Sequence, residues 1–302
     1  MVVVIGSLNM DLVTYVTRIP RVGETLIGKR FAKSFGGKGA NQAVAIAKLG
    51  VPVKMLGCIG HDDRGLALLN SLVANGVNAK YLNRIVGAPT GVALIQVDSS
   101  GDNTIIVVPG ANDMLSIEHV KKSMKSIEEA SVVVAQMEVP VETIKYAFEV
   151  AKSLGKTTIL NPTPAGMFDD FLISYTDILV PNEIELETIS GISIAGENDV
   201  FVAARILLDK GVRDLVVTLG KRGCIHFYRN EFKIYNGRKV TAVDTTAAGD
   251  SFIGALAAML SEGKGIDEAI TYAINASALT VTKEGAQSSL PNRAEVEDFL
   301  IT

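Results

Sequence analysis

Short apolar runs alternate along the chain with longer stretches in which apolar residues recur every three or four positions. Val2–Ile5 precedes Gly39–Leu49, Val53–Cys58 precedes Arg64–Asn75, and Val132–Met137 precedes Val141–Leu154. Further short runs fall at Thr157–Leu160, Ile178–Val180 and Leu215–Leu219. The short runs predict strands and the periodic stretches predict helices. Strands that are apolar on both faces belong to a parallel sheet covered by helices on both sides, so the expected class is three-layer α/β. The last third adds helices at Ser251–Glu262, Asp267–Thr282 and Arg293–Ile301. Two segments break the alternation: Asp11–Ser34 and Thr90–Pro109 each read as two strands about a turn, at Pro20–Gly23 and Ser99–Asp102. Their hairpins either pair into one small antiparallel sheet or extend the edge of the main one.

At 302 residues the chain suffices for one large domain or two, with a core that needs no disulfide or metal. Its 29 basic and 33 acidic residues leave a net charge of −4, which argues against a general nucleic-acid binder. Mean hydropathy is +0.30. Even so, the longest apolar runs, such as Phe252–Leu260, fall well short of the roughly 18–20 residues a bilayer span requires. Met1–Gly6 carries no basic stretch and no cleavage site, so it predicts a first buried strand in a soluble cytoplasmic protein without membrane attachment. Cys58 and Cys224 lie far apart and His61, His119 and His226 do not cluster, which removes zinc-hydrolase and thiol-enzyme chemistry.

In open α/β sheets ligands bind beyond the carboxyl ends of the strands. Those ends are polar here, with Asn9 and Asp11, Gln136 and Glu138, Asn161, Asn182 and Thr218 each following or closing an apolar run. Any one of them could cap a helix or shape a turn. Their recurrence at the same edge points to a site. Gly36-Gly37-Lys38-Gly39-Ala40-Asn41-Gln42 fits neither a Walker loop nor GxGxxG. Its glycines allow backbone to approach a ligand while Lys38 and Asn41 donate to hydroxyl oxygens; the alternative is a tight turn with a solvated lysine.

The strongest signal is Asp244-Thr245-Thr246-Ala247-Ala248-Gly249-Asp250, where small residues lead into a helix. Unpaired amides at such a start make an anion site, so those of Ala247, Ala248 and Gly249 could hold a transferring phosphoryl group. Asp250, kept ionised by nearby N–H groups, would then take the proton of an attacking hydroxyl. A first-turn acid that merely complements the helix dipole is the plainer use of Asp250. Thr218, Leu219, Gly220, Lys221, Arg222 and Gly223 either wrap nucleotide phosphates through their N–H groups or turn a hairpin into Cys224–Tyr228. Asn182 and Glu185 hold Mg²⁺ through water beside a nucleotide, or form a capping box.

From Gly6 to about Pro291 these segments resemble the PfkB family of carbohydrate and nucleoside kinases. Gly6-Ser7-Leu8-Asn9-Met10-Asp11, Asn161–Ala165, Pro181-Asn182-Glu183 and Gly285-Ala286-Gln287 also carry the resemblance, and Lys38–Gln42 is similar to the family's ribokinase branch. The resemblance implies one catalytic domain over 1–302 with a Rossmann-like core. Insertions at about 11–35 and 88–109 would form a β lid that closes over the sugar and pairs with the lid of a second subunit in a homodimer. The implied reaction is ATP-dependent phosphorylation of D-ribose at the C5 hydroxyl, with deoxyribose, a ketose or a nucleoside as alternative acceptors. A non-catalytic sugar sensor is opposed by the Gly249-Asp250 pair, and an NAD-dependent dehydrogenase by Gly6-Ser7-Leu8-Asn9, which supplies no GxGxxG.

Matching positions imply that sugar hydroxyls meet Asn9, Asp11, Gly37, Lys38, Asn41, Glu138 and Asp250. ATP would meet Asn182, Thr218, Gly220, Gly223 and Gly249, with the adenine-side residue at Ile274 or Asn275. The resemblance also implies a monovalent cation, usually K⁺, held by Asp244, by carbonyls of Thr246, Thr280, Lys283 and Gly285, and by the Ser289 hydroxyl. Such an ion would order the loop before Asp250 without touching substrate.

Overall fold

The computed structural model describes residues 1–301. Its strands, in chain order, are Val2–Ile5 (β1), Asn9–Tyr15 (β2), Arg30–Gly36 (β3), Val53–Gly60 (β4), Asn78–Ile85 (β5), Gly91–Val97 (β6), Asn103–Val108 (β7), Val132–Gln136 (β8), Thr157–Asn161 (β9), Ile178–Leu179 (β10), Asp214–Thr218 (β11), Gly223–Tyr228 (β12) and Glu231–Asn236 (β13). The α-helices are Lys38–Lys48 (α1), Asp63–Ala74 (α2), Ile117–Lys122 (α3), Met124–Glu129 (α4), Val141–Ser153 (α5), Glu183–Ser190 (α6), Glu197–Asp209 (α7), Ala248–Ser261 (α8), Ile266–Thr280 (α9) and Arg293–Ile301 (α10). Among the described residues no helix is long and apolar enough to cross a membrane.

Nine strands form one sheet in the order β13-β12-β11-β10-β9-β8-β1-β4-β5. It is parallel from β5 through β11, and only the β12–β13 edge runs antiparallel. Strand alternation divides the apolar side chains between two cores: Val2 and Val4 face one, Val3 and Ile5 the other. Helix α8 is buried without interruption from Asp250 to Met259 because it packs between α1 and α9. A helix apolar on nearly all sides has to be enclosed in this way. Its first turn therefore opens at the carboxyl end of the sheet, against the start of α1.

The two insertions form a separate four-stranded sheet in the order β3-β2-β6-β7. Each insertion is an antiparallel hairpin, and the two join through the parallel pair β2–β6. The link from β2 to β3 spans 16–29, so Pro20–Gly23 lies within a long loop. The predicted strands and helices recur with ends shifted by a few residues. Strands β5 and β13 and helices α3, α4 and α7 have no counterpart in the sequence-based reading, and of α6 only the start at Asn182–Glu185 was expected. Strand β5, at the sheet's edge, has no fully buried residue, and β13 has only Tyr235 buried, so neither presents the apolar run that marks a strand.

Candidate active site

Ala247 precedes α8 in the left-handed region at φ 60, and no side chain caps the helix. A non-glycine residue there costs about 1–2 kcal/mol. The turn it makes aims the start of α8 outward. The Ala248 N–H makes a long 3.3 Å bond to the Thr245 carbonyl, whereas those of Ala247, Gly249 and Asp250 find no acceptor among the described residues. These amides form the electropositive opening of a 14-residue helix.

The Asp250 carboxylate lies beside them, 7% exposed. It accepts from Asn41 Nδ2 at 2.9 Å on one oxygen and from Gln42 Nε2 at 3.0 Å on the other. The sequence-based expectation was ionisation by backbone N–H neighbours, and the structure corrects it: the donors are side-chain amides of α1. Burial pushes the Asp250 carboxyl above the usual carboxylate range, opposed by the Lys38 charge and the two amides. That direction suits a base working near neutral pH.

Behind the loop before α1, Gly37 sits at φ 87, and a Cβ there would lie 2.6 Å from the Asn9 nitrogen and 2.8 Å from the Ser7 carbonyl oxygen. The loop therefore rests directly on the β1–β2 connection. That contact brings Asn9, Asp11 and Glu138 to the start of α1. Ser7 Oγ donates to Glu138 Oε2, and the Lys38 N–H reaches the same oxygen at 3.5 Å. Asn9 is 3% exposed, and its Oδ1 accepts from Asn112 Nδ2 at 2.8 Å. Asn112 also binds the Leu8 backbone at both its N–H and its carbonyl. With its acceptor end engaged, Asn9 keeps its amide hydrogens for a ligand.

Burial, followed by the charges of Glu138 and Asp250, raises the Asp11 carboxyl to about 7, with Lys38 opposing. The folded protein thus holds this proton where the unfolded chain, titrating near 4, has lost it. The folded state binds more protons between about pH 4 and pH 7, so stability falls as pH rises through that window and then levels. Asp11→Asn should melt several degrees above the wild type at pH 8 and close to it at pH 4. Parallel melting curves across that range check this, and equal offsets at both pH values would contradict it.

Lys38 and Asp250 stand where this polar cluster meets a cleft of about 860 Å³. Asn182, Glu185, Thr218, Gly220, Lys221, Arg222, Gly223 and Gly249 line it. Its other wall is apolar, with Val240, Ala242, Ile253, Ile274, Ala278 and Val281, which suits the flat base of a nucleotide. Two residues proposed from sequence do not face it. Leu219 is packed in the core, 7% exposed. Asn275 is buried and donates to the Thr271 carbonyl, so Ile274 takes its place on the cleft wall.

The stretch from Gly220 to Gly223 is the turn between β11 and β12, as the hairpin reading expects, and it also forms part of the cleft wall. Asn182 and Glu185 form a capping box. The Glu185 carboxylate, held by Thr163 and Asn182, still faces the cleft and can accept from a water on Mg²⁺.

Asp244 accepts the Thr246 and Gly285 N–H groups, both at 2.9 Å, and so ties together the two loops suggested for a monovalent cation. Burial raises its carboxyl, but these bonds outweigh that and hold it below the usual range. Ser289 is fully buried and its hydroxyl donates to the Ala286 carbonyl; the Thr280 carbonyl accepts the Lys283 N–H at 3.2 Å. Carbonyl, hydroxyl and carboxylate oxygens are the donor chemistry a hard cation takes. Cys58 and Cys224 are buried with their thiols pushed up to about 12, so neither is a nucleophile. Asn112, Gln42 and Gln287 were not given a role from sequence, whereas Gln136 and Asn161 stood out there only as polar strand ends.

A buried carboxylate beside open helix-start amides, with a polar cluster on one side and a nucleotide-sized cleft on the other, is the arrangement that a small-molecule kinase needs. The family described as pfkB family carbohydrate kinase matches residues 1–293, and the chain belongs to it. It is 40% identical over 297 residues to the ribokinase of Haemophilus influenzae, covering 98% of this chain and 97% of that one. It is 36% identical over 302 residues to the deoxyribokinase of Salmonella typhi, covering 99% and 98%. The solved structure of Arabidopsis thaliana ribokinase complexed with ribose and ATP superposes with a TM-score of 0.90 at 32% identity, covering 100% of this chain and 98% of that one.

Proposed function

We propose that this kinase transfers the γ-phosphoryl group of ATP to the C5 hydroxyl of D-ribose, giving D-ribose 5-phosphate and ADP. The observation that carries the reading is the Asp250 carboxylate beside the open amides of α8, where the polar cluster meets the cleft. Asn9, Asp11, Gly37, Lys38, Asn41 and Glu138 orient the sugar so that its C5 hydroxyl meets Asp250. Asp250 takes the hydroxyl proton as the oxygen attacks the γ-phosphorus and the bond to the ADP oxygen breaks. The free N–H groups at the start of α8 hold the charge spread over the transferring group. Lys38, whose ammonium is kept charged by Asp250, Glu138, Glu185 and Asp11 in spite of its burial, adds to that field.

ATP lies along Asn182, Thr218 and Gly220–Gly223, with Ile274 on the adenine side. Glu185, with Asn182, would hold Mg²⁺ through water, and that ion would supply neutralisation of the nucleotide's phosphate charge. Asp244, Thr246, Thr280, Lys283, Gly285 and Ser289 would hold a K⁺ ion, which would stiffen the approach to α8. The enzyme is a single catalytic domain working in the cytoplasm, where ATP is supplied. A coupled ATP-consumption assay across ribose, deoxyribose, fructose and adenosine tests the acceptor. Ribose is expected to give the highest kcat/KM. Deoxyribose is the second reading, favoured by the Salmonella relative. A polar cluster this dense leaves groups unpaired against a sugar lacking a hydroxyl, which supports ribose over it.

The small sheet acts as a lid that excludes water from the transfer, and it pairs with the lid of a second copy in a homodimer. All of β7 is exposed, including Ile105 at 55% and Ile106 at 65%. In register, Ile105 shares a face with Ile95 and with Val107. Ile105→Lys is expected to shift the protein from dimer to monomer in sedimentation velocity, and an unchanged dimer would remove this face from the contact.

A further inference from the structure

We propose that Gln42, Gln136 and Gln287 are positioning residues for the base: two amide relays, Gln136 to Gln42 and Gln287 to Asn41, lock both amides that face Asp250 in the donating orientation. The inference rests on the reading of Asp250 as base.

A side-chain amide has a donor end and an acceptor end of nearly equal size, so a half-turn converts attraction to a carboxylate into repulsion. Around Asp250 both half-turns are blocked. Gln42 uses Nε2 for Asp250 Oδ1 at 3.0 Å and for Asn161 Oδ1 at 3.4 Å, while its Oε1 accepts from Gln136 Nε2 at 2.6 Å. Turned over, it would set its oxygen against two oxygens and its amide nitrogen against that of Gln136. On the other side Asn41 Nδ2 donates to Asp250 Oδ2 at 2.9 Å, and Asn41 Oδ1 accepts from Gln287 Nε2 at 3.2 Å. Gln287 is itself fixed, its Oε1 accepting from Ser71 Oγ at 3.4 Å and its backbone carbonyl from Lys48 Nζ at 2.8 Å.

One further detail separates this arrangement from ordinary packing. Gln136 is fully buried, and its Oε1 has no hydrogen-bond partner. That oxygen lies 2.0 Å from where a Cβ on residue 6 would stand, a place left open by Gly6. A buried acceptor without a partner is unfavourable. The same pose is the one that delivers Gln136 Nε2 to Gln42.

The chemical consequence concerns proton direction. Each Asp250 oxygen accepts one amide, and neither Asn41 nor Gln42 offers it an acceptor. A proton on Asp250 therefore has to arrive and leave on the substrate side, where the charges of Lys38 and Asp11 are within reach of it. Both relays favour the ionised carboxylate.

The test is the pH profile of kcat from pH 5 to 9, at saturating ATP and ribose, for the full-length wild type, Gln42→Met, Gln136→Met and Gln287→Met. Gln136→Met keeps the length and removes the donor without adding a charge. In Gln42→Met and Gln136→Met the acidic limb is expected to move up by about one pH unit, with kcat at pH 6 down about tenfold and recovering by pH 9. KM for ribose should stay within about threefold. Gln287→Met should move the limb the same way and also raise KM, since Asn41 faces the sugar. A purely structural role would not move the limb, so profiles that superimpose on the wild type, or a wild type without an acidic limb, overturn the proposal. If circular dichroism shows one variant unfolded, the variant on the other relay decides. Asp250→Ala separates the two layers: near-normal kcat in that variant defeats the base itself, whereas an inactive Asp250→Ala beside unmoved limbs defeats only the relays.

Discussion

Asp250→Ala is expected to lower kcat by about 10²- to 10⁴-fold, the range for loss of a general base, while ribose still binds. Two features set the size of the effect. The carboxylate is the one titratable group that combines burial at the junction of cluster and cleft with contact to both α1 amides. No nearby group can replace it, because Glu138 is engaged by Ser7 and the Lys38 N–H, and Asp11 holds its own proton to about pH 7. Stability should move the other way. Keeping an ionised carboxylate out of water is costly, so the variant should melt no lower than the wild type at pH 8. Steady-state kinetics and calorimetry on one preparation check all three quantities, and a kcat within a few fold of the wild type would contradict the role.

Gly37→Ala should be nearly as damaging by a different route. At φ 87 and ψ 127 the backbone occupies a region that side chains rarely tolerate. The added carbon would also press on the backbone of Ser7, Leu8 and Asn9 at 2.6–2.8 Å. Main chain against main chain cannot yield without moving the start of α1, and that start carries Lys38, Asn41 and Gln42 together. A displacement of this kind affects sugar binding and base orientation at once, so kcat/KM for ribose should fall by about 10²-fold or more, in both kcat and KM. A change confined to melting temperature would mean that the loop's fit against the β1–β2 connection does not govern the site.

Much of this was legible in the residues. Apolar runs such as Val2–Ile5 and Val132–Met137 announce themselves because strands buried on both faces need side chains of one kind, and polar residues stand out at their ends. Asp250 was legible because small residues before a helix have few other uses. Strand β5 was not, since a strand at the sheet edge mixes exposed and buried positions without an apolar run. Asn112 was not, because its partners Leu8 and Asn9 lie more than a hundred residues away and no local pattern marks a buried amide. The roles of Gln136 and Gln287 behind Gln42 and Asn41 were hidden for the same reason, although Gln136 stood out at a strand end and Gln287 sits inside a motif that already drew attention. The choice between Ile274 and Asn275 depended on helix phase, which one residue of uncertainty in register leaves open and which only the packing of α9 fixes.

The most direct test of the central claim is phosphorus–proton correlation NMR on the product formed from ATP and D-ribose, with 5-deoxyribose as a control. The account predicts a single sugar phosphate whose phosphorus couples to the two C5 methylene protons, and no sugar phosphate from the control. Phosphate on any other ribose carbon, or consumption of ATP to inorganic phosphate alone, would contradict it.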